Sequence, residues 1–156
     1  MTNQHSTYLI DFDDSFTMNI ASVLYDMGVE VYVTHYKKWP ELVDEIIKLK
    51  KRAAIILGPG PGHPREYDVV SLTLKKLIEA PNIFVMGICL GHQMIARSFG
   101  AKVESCADPQ HGQKLTVNIE GVTGNKKNTV QVYHQRYYVW HSLNSLVMLV
   151  GQYQCQ

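Results

Sequence analysis

The sequence has almost no excess of either charge: 15 lysine and arginine residues stand against 14 aspartates and glutamates in 156 residues, a formal net charge of +1. That balance provides no electrostatic footprint for nucleic acid or for a membrane surface. No apolar run approaches the roughly 20 residues of a membrane span. The opening Met1-Thr2-Asn3-Gln4-His5-Ser6 lacks the basic and apolar regions of a signal peptide, so a cytoplasmic location is expected. Cysteine is scarce. Cys89, Cys106 and Cys155 are too few for a disulfide scaffold, and their spacings resemble no zinc site. No metal and no cofactor are expected. Charge is missing altogether from residues 137–156.

What is present suffices for a core. The apolar fraction is 46% and the charged fraction 19%, which places the chain among globular proteins of one domain. Tyr8-Leu9-Ile10 is a short apolar run, followed by a turn-like Asp11-Phe12-Asp13-Asp14-Ser15. Phe16, Ile20, Val23, Leu24 and Met27 recur at helical spacing, with Asp14 or Ser15 to cap that helix and Gly28 to end it. The pattern continues with a strand over 29–34, a helix from Pro40 to about residue 50, a strand over 53–57, a helix capped by Asp68, a strand over 83–86 and a helix over 92–99 closed by Gly100. Strands separated by single helices require crossovers. The expected fold is α/β, with a mostly parallel sheet between helices on both faces. Beyond Gly100, residues 114–119 and 129–133 alternate like antiparallel strands, with Gly121 and Gly124-Asn125 as turns. Leu146-Val147-Met148-Leu149-Val150 reads as a core strand.

In a parallel sheet of this kind ligands bind outside the carboxyl ends of the strands. The loops after Ile10, Leu57 and Met86 share that edge, and two of them carry motifs. Gly87-Ile88-Cys89-Leu90-Gly91-His92-Gln93 follows a strand and opens a helix. This is the arrangement of a nucleophile elbow, with cysteine as the nucleophile. A helix N-terminus favours the thiolate, and the Leu90 amide is placed to donate to an oxyanion. Gly58-Pro59-Gly60-Pro61-Gly62 forms a stiff loop whose amide donors sit only on its glycines. It lacks the residues of a phosphate-binding loop. A cysteine alone reads as a buried structural residue, and such a loop alone as a plain connection; their shared edge is what points to chemistry.

Together these stretches resemble the class I glutamine amidotransferases, in particular the small, glutaminase subunit of anthranilate and aminodeoxychorismate synthases. The resemblance rests on residues 10–19, on the glycine–proline loop 58–64, on 86–103 around Cys89, and on His111-Gly112-Gln113. It is close up to about residue 115 and loose beyond. It implies a flavodoxin-like core and a cysteine glutaminase. Cys89 would be the nucleophile, and the Gly60 and Leu90 amides the oxyanion donors. Gly60, Pro61, Gly62 and Gln93 would line the glutamine site. The family holds the amino-acid end of glutamine through a Ser-Leu pair, to which Ser142-Leu143 is similar, although Arg136-Tyr137 lies three residues too far upstream of the family's spacing. The implied partners are glutamine and a chorismate-binding synthase subunit that receives the ammonia.

One part of the pattern is missing. The family pairs its cysteine with a His-Pro-Glu motif, and no His-x-Glu follows Cys89 in this sequence. His92 lies beside the nucleophile at a position that is not the family's base; His134 and His141 have no spacing that brings them there. The expectation is a single domain over residues 1–156, incomplete at its C-terminus, with an uncovered sheet edge that favours self-association or a partner. The competing expectation is a binding or regulatory module on the same fold, without turnover.

Overall fold

The computed structural model describes residues 5–50, 52–110, 113–119, 126–132 and 135–140. Its first half is the alternating pattern: β1 (Ser6–Asp11), α1 (Thr17–Asp26), β2 (Val31–His35), α2 (Trp39–Leu49), β3 (Ala53–Leu57), α3 (Asp68–Ile78), β4 (Ile83–Gly87) and α4 (Leu90–Ser98). The four strands form one parallel sheet in the order β2-β1-β3-β4. Leu9 lies opposite both Val33 and Ile56, so β1 is paired on both sides. The chain winds outward in opposite directions from β1 and from β3. The topological switch point therefore falls between these two strands, where the loops 12–16 and 58–63 meet.

Side chains alternate across the sheet because successive Cβ atoms point to opposite faces. Ile10, Ile55 and Leu57 pack on one face with Trp39, Leu42, Val43 and Ile46 of α2, Val70, Leu74 and Leu77 of α3, and Leu90 and Met94 of α4. Leu9 and Ile56 face the other way, against Ala21 of α1. Helices thus cover both faces, three on one and α1 on the other. Trp39 is fully enclosed, and its Nε1 donates to Thr73 Oγ1 of α3 at 2.7 Å.

Several boundaries differ from the sequence expectation, each for a local reason. α1 is capped by neither Asp14 nor Ser15 in the ordinary sense; Phe16 is the N-cap residue, and Asp14 Oδ1 accepts from its amide at 2.8 Å. Gly28, at φ +78°, does end that helix. Gly28 N–H donates to Tyr25 O and Val29 N–H to Leu24 O, a closing pair that occupies Val29 and delays β2 to Val31. Asp68 is not a cap: Tyr67 holds that position, and the Asp68 carboxylate accepts from Arg97 at 2.9 Å. α4 starts at Leu90, two residues before the expected His92.

Among the described residues four further strands follow: β5 (Lys102–Gln110), β6 (Gln113–Ile119), β7 (Lys126–Val132) and β8 (Gln135–Trp140). β5 pairs antiparallel with β8 and β6 with β7. β6 and β7 match the expected antiparallel part, whereas β5 and β8 were not read from the sequence. Tyr133, the turn glycines Gly121 and Gly124, and the segment 146–150 lie outside the described residues.

Candidate active site

Cys89 sits between β4 and α4 with φ +54° and ψ −109°. That is a left-handed backbone for a residue with a side chain, sustained only where the surroundings over-determine it. The surroundings here are close. A Cβ on Gly91 would collide with the Leu57 carbonyl of β3, and one on Gly87 would come within 2.5 Å of Gly91 C. Strand and helix therefore approach to a distance that only glycine allows at both positions. Ile88 N–H donates to Leu57 O at 2.9 Å and Gly91 N–H to Gly58 O at 3.2 Å, which ties the elbow to β3 and to the start of the glycine–proline loop.

The Leu90 amide donates toward the Cys89 sulfur and pulls its pKa down, but burial outweighs it and Asp14 adds a further push upward. The thiol is therefore raised above its ordinary 9.0. The helix N-terminus favours the thiolate as expected, through the Leu90 amide, but desolvation of the anion is larger.

The loop 58–63 lies alongside. Gly58 N–H donates to Ile10 O at 3.0 Å. Gly60 is wedged between Phe12 and Leu90, where a Cβ would come within 2.6 Å of Phe12 Cβ. Its own N–H has no acceptor among the described residues. Pro61 and Gly62 are exposed. The Tyr67 hydroxyl donates to Pro61 O at 3.0 Å, and burial pushes that phenol up, so it stays a donor. Gln93 is buried on the first turn of α4, its N–H donating to Cys89 O at 3.1 Å. The structure thus brings Cys89, Leu90, Gly60 and Gln93 to one edge of the sheet. Ser142, Leu143 and His141, with His111, Gly112 and His134, lie outside the described residues.

Three described histidines border this edge. His35 Nε2 meets Asp13 Oδ1 at 2.8 Å, and its Nδ1 accepts from Lys37 N. His63 Nδ1 accepts from Arg65 N at 3.1 Å, while Nε2 donates to Val103 O at 3.1 Å. His92 is buried on α4; its Nε2 is enclosed without a partner among the described residues, and burial pushes its pKa down. Sequence reasoning missed the supporting layer. Phe12, Tyr36 and Tyr67 pack ring against ring below the loop, with centroids 5.0 to 5.7 Å apart. The bonds of His63 were missed too, although one signal was present: glutamate three residues after it is the spacing of a capping box, and Glu66 Oε1 accepts from His63 N at 2.7 Å.

Comparison with known proteins agrees with this architecture. The glutamine amidotransferase class-I family matches residues 8–150. The chain is 35% identical to aminodeoxychorismate synthase component 2 of Escherichia coli over 130 residues, 81% of this chain and 67% of that protein. It is 35% identical to anthranilate synthase component 2 of Cyanophora paradoxa over 124 residues, covering 78% of this chain and 63% of that one. A multifunctional tryptophan biosynthesis protein of Phycomyces blakesleeanus is 37% identical over 83% of this chain, which spans only 17% of that protein's length. Among solved structures, a GMP synthase component from Thermoplasma acidophilum shares the fold, with TM-score 0.66 and 22% identity over 86% of this chain and 66% of that one. The chain belongs to the class-I glutamine amidotransferase family. Among the described residues no helix is long and apolar enough to cross a membrane.

Proposed function

We propose that this chain is the glutaminase component of a chorismate-aminating synthase, in which Cys89 attacks the side-chain amide of glutamine. The observation that carries this reading is the positive-φ Cys89 at the head of α4, with the Leu90 amide on its sulfur and Gly60 packed against Leu90. In the reaction the sulfur bonds to the amide carbon and the carbonyl oxygen gains negative charge, held by the Leu90 and Gly60 amides. Collapse breaks the carbon–nitrogen bond; the departing nitrogen takes the proton given up by the Cys89 thiol and leaves as ammonia, and a glutamyl thioester remains. Water then cleaves the thioester to glutamate and restores the thiol. Pro61, Gly62 and Gln93 line the glutamine site, and Ser142 and Leu143 hold its amino-acid end. Support comes from relatives whose names are those of anthranilate and aminodeoxychorismate synthase components. The ammonia passes to a chorismate-binding subunit, in the cytoplasm. A second copy of this chain, meeting the first at a sheet edge, is the further partner in this reading.

A specific observation favours a second reading, a module that binds glutamine or a synthase subunit without turnover. Residues 90–156 contain no His-x-Glu, and burial raises the pKa of the Cys89 thiol above its ordinary value. General-base catalysis is typically worth about 10²–10⁴-fold in such reactions.

Ammonia release from glutamine by the purified chain, beside Cys89→Ala, separates the two. Release that vanishes in the variant establishes a glutaminase. No release, with glutamine binding retained in calorimetry, establishes the binding module. Release unaffected by Cys89→Ala overturns the proposed mechanism.

A further inference from the structure

We propose that His63 is a positioning residue. It is the strut through which the β5–β8 ribbon sets the place of the Gly60 amide. This rests on the glutaminase reading of the site, and its own observations are separate from it. The glycine–proline loop is held at its start by Gly58, whose N–H reaches Ile10 O and whose carbonyl accepts from Gly91. In the middle it is held by Tyr67 at Pro61 O. Its far end is held by His63: the backbone N–H donates to Glu66 Oε1, and on the ring Nδ1 accepts from Arg65 N while Nε2 donates to Val103 O, both ring bonds at 3.1 Å. The Arg65 bond is local and caps the turn Pro64–Tyr67. The Val103 bond spans forty positions of sequence and reaches a different part of the fold.

The path has a consequence for the site. Val103 is buried on β5 and lies opposite Val139 of β8. β5 follows directly from α4, whose end is fixed by Gly100 N–H to Arg97 O and Ala101 N–H to Ala96 O. The head of α4 carries the Leu90 donor. The two oxyanion donors are thus referred to one frame: Leu90 through α4 itself, Gly60 through His63 and β5. Cutting the strut leaves Leu90 in place and frees the loop end relative to it. Sub-ångström placement of such donors decides rate.

Two substitutions separate the two ring bonds. Asparagine puts an oxygen near the Nδ1 position and can keep the cap, but falls short of Val103. Glutamine puts an amide N–H near the Nε2 position and can keep the strut. The test labels Cys89 of the full chain with 6-diazo-5-oxo-norleucine, a glutamine-shaped electrophile, and separately with iodoacetamide, which needs no loop. His63→Ala and His63→Asn are expected to slow labelling by the glutamine analogue about ten-fold or more, His63→Gln to restore most of it, and iodoacetamide to react alike with all. The proposal is overturned if all three variants match the wild type with the analogue, or if both reagents slow together. A wild-type chain that takes iodoacetamide but not the analogue sinks the glutaminase reading instead. The strut is then decided by the amide resonances of Gly60 and Gly62. They shift in His63→Ala and His63→Asn and return toward wild type in His63→Gln if it exists, and stay put in all three if it does not.

Discussion

At the scale of single residues, the site is a balance between a helix end that favours negative charge on sulfur and burial that opposes it. Burial wins, and Asp14 assists it. The thiol is the neutral form, so a raised pKa means that the folded state holds its proton longer than the unfolded chain does. Iodoacetamide alkylation of Cys89, followed by peptide mass to separate it from Cys106 and Cys155, is expected to rise with pH with a midpoint above 9.0. Asp14→Asn is expected to move that midpoint down without bringing it to the ordinary value, because burial remains. The same sign has a stability consequence. Any contribution of this thiol is intact below its unfolded pKa and is lost as pH rises through the folded one. His92 runs the opposite way. Its folded pKa lies below 6.5, so the unfolded chain takes up the proton first, and stability falls as pH drops below that value. Thermal melts at pH 7.5 and 5.5 are expected to show a smaller acid-side loss for His92→Asn than for the wild type. Gly91→Ala is the sharpest steric test. Its methyl meets the Leu57 carbonyl, which is backbone and cannot swing aside. A loss of about 1–3 kcal/mol in denaturant unfolding is expected, together with slower alkylation of Cys89.

At the scale of elements, α3 illustrates how amphipathic spacing becomes stability. Val70, Leu74 and Leu77 recur at three- and four-residue intervals and are fully enclosed against the sheet, while Leu72 on the opposite side is exposed. Leu74→Ala is expected to cost about 2–5 kcal/mol, and Leu72→Ala almost nothing, in urea titrations of the two variants. The same elements show what was legible. The four parallel strands and four helices were readable because each carries its own period and its own terminators. Gly28 and Gly100 end their helices where the sequence places them. The elbow was readable because its glycines are local to the cysteine. The Asp68 cap was misread because the carboxylate has a better use 29 residues away, on Arg97. β5 and β8 were missed although residues 136–140 are rich in aromatic and β-branched types. Their pairing joins residues 25 to 38 positions apart, from Gln110–Gln135 to Lys102–Trp140, and no short-range period records it. The His63–Val103 bond is of the same kind.

At the scale of the whole molecule, the sheet is unequally clothed. Among the described residues, the core on the α2, α3 and α4 side gathers sixteen buried side chains, and the one under α1 only three. Regions with little buried apolar surface open first. Amides of α1 are expected to exchange with deuterium at lower protection than those of α3 and α4; equal protection would show that α1 opens only with global unfolding.

The enclosure of Trp39 has an optical consequence. The indole is wholly shielded from water and hydrogen-bonded across to α3, so its fluorescence should peak at short wavelength and resist quenching by iodide. The chain has just one other tryptophan, Trp140. A Trp140→Phe chain would therefore report the parting of α2 from α3 as a single-colour red shift.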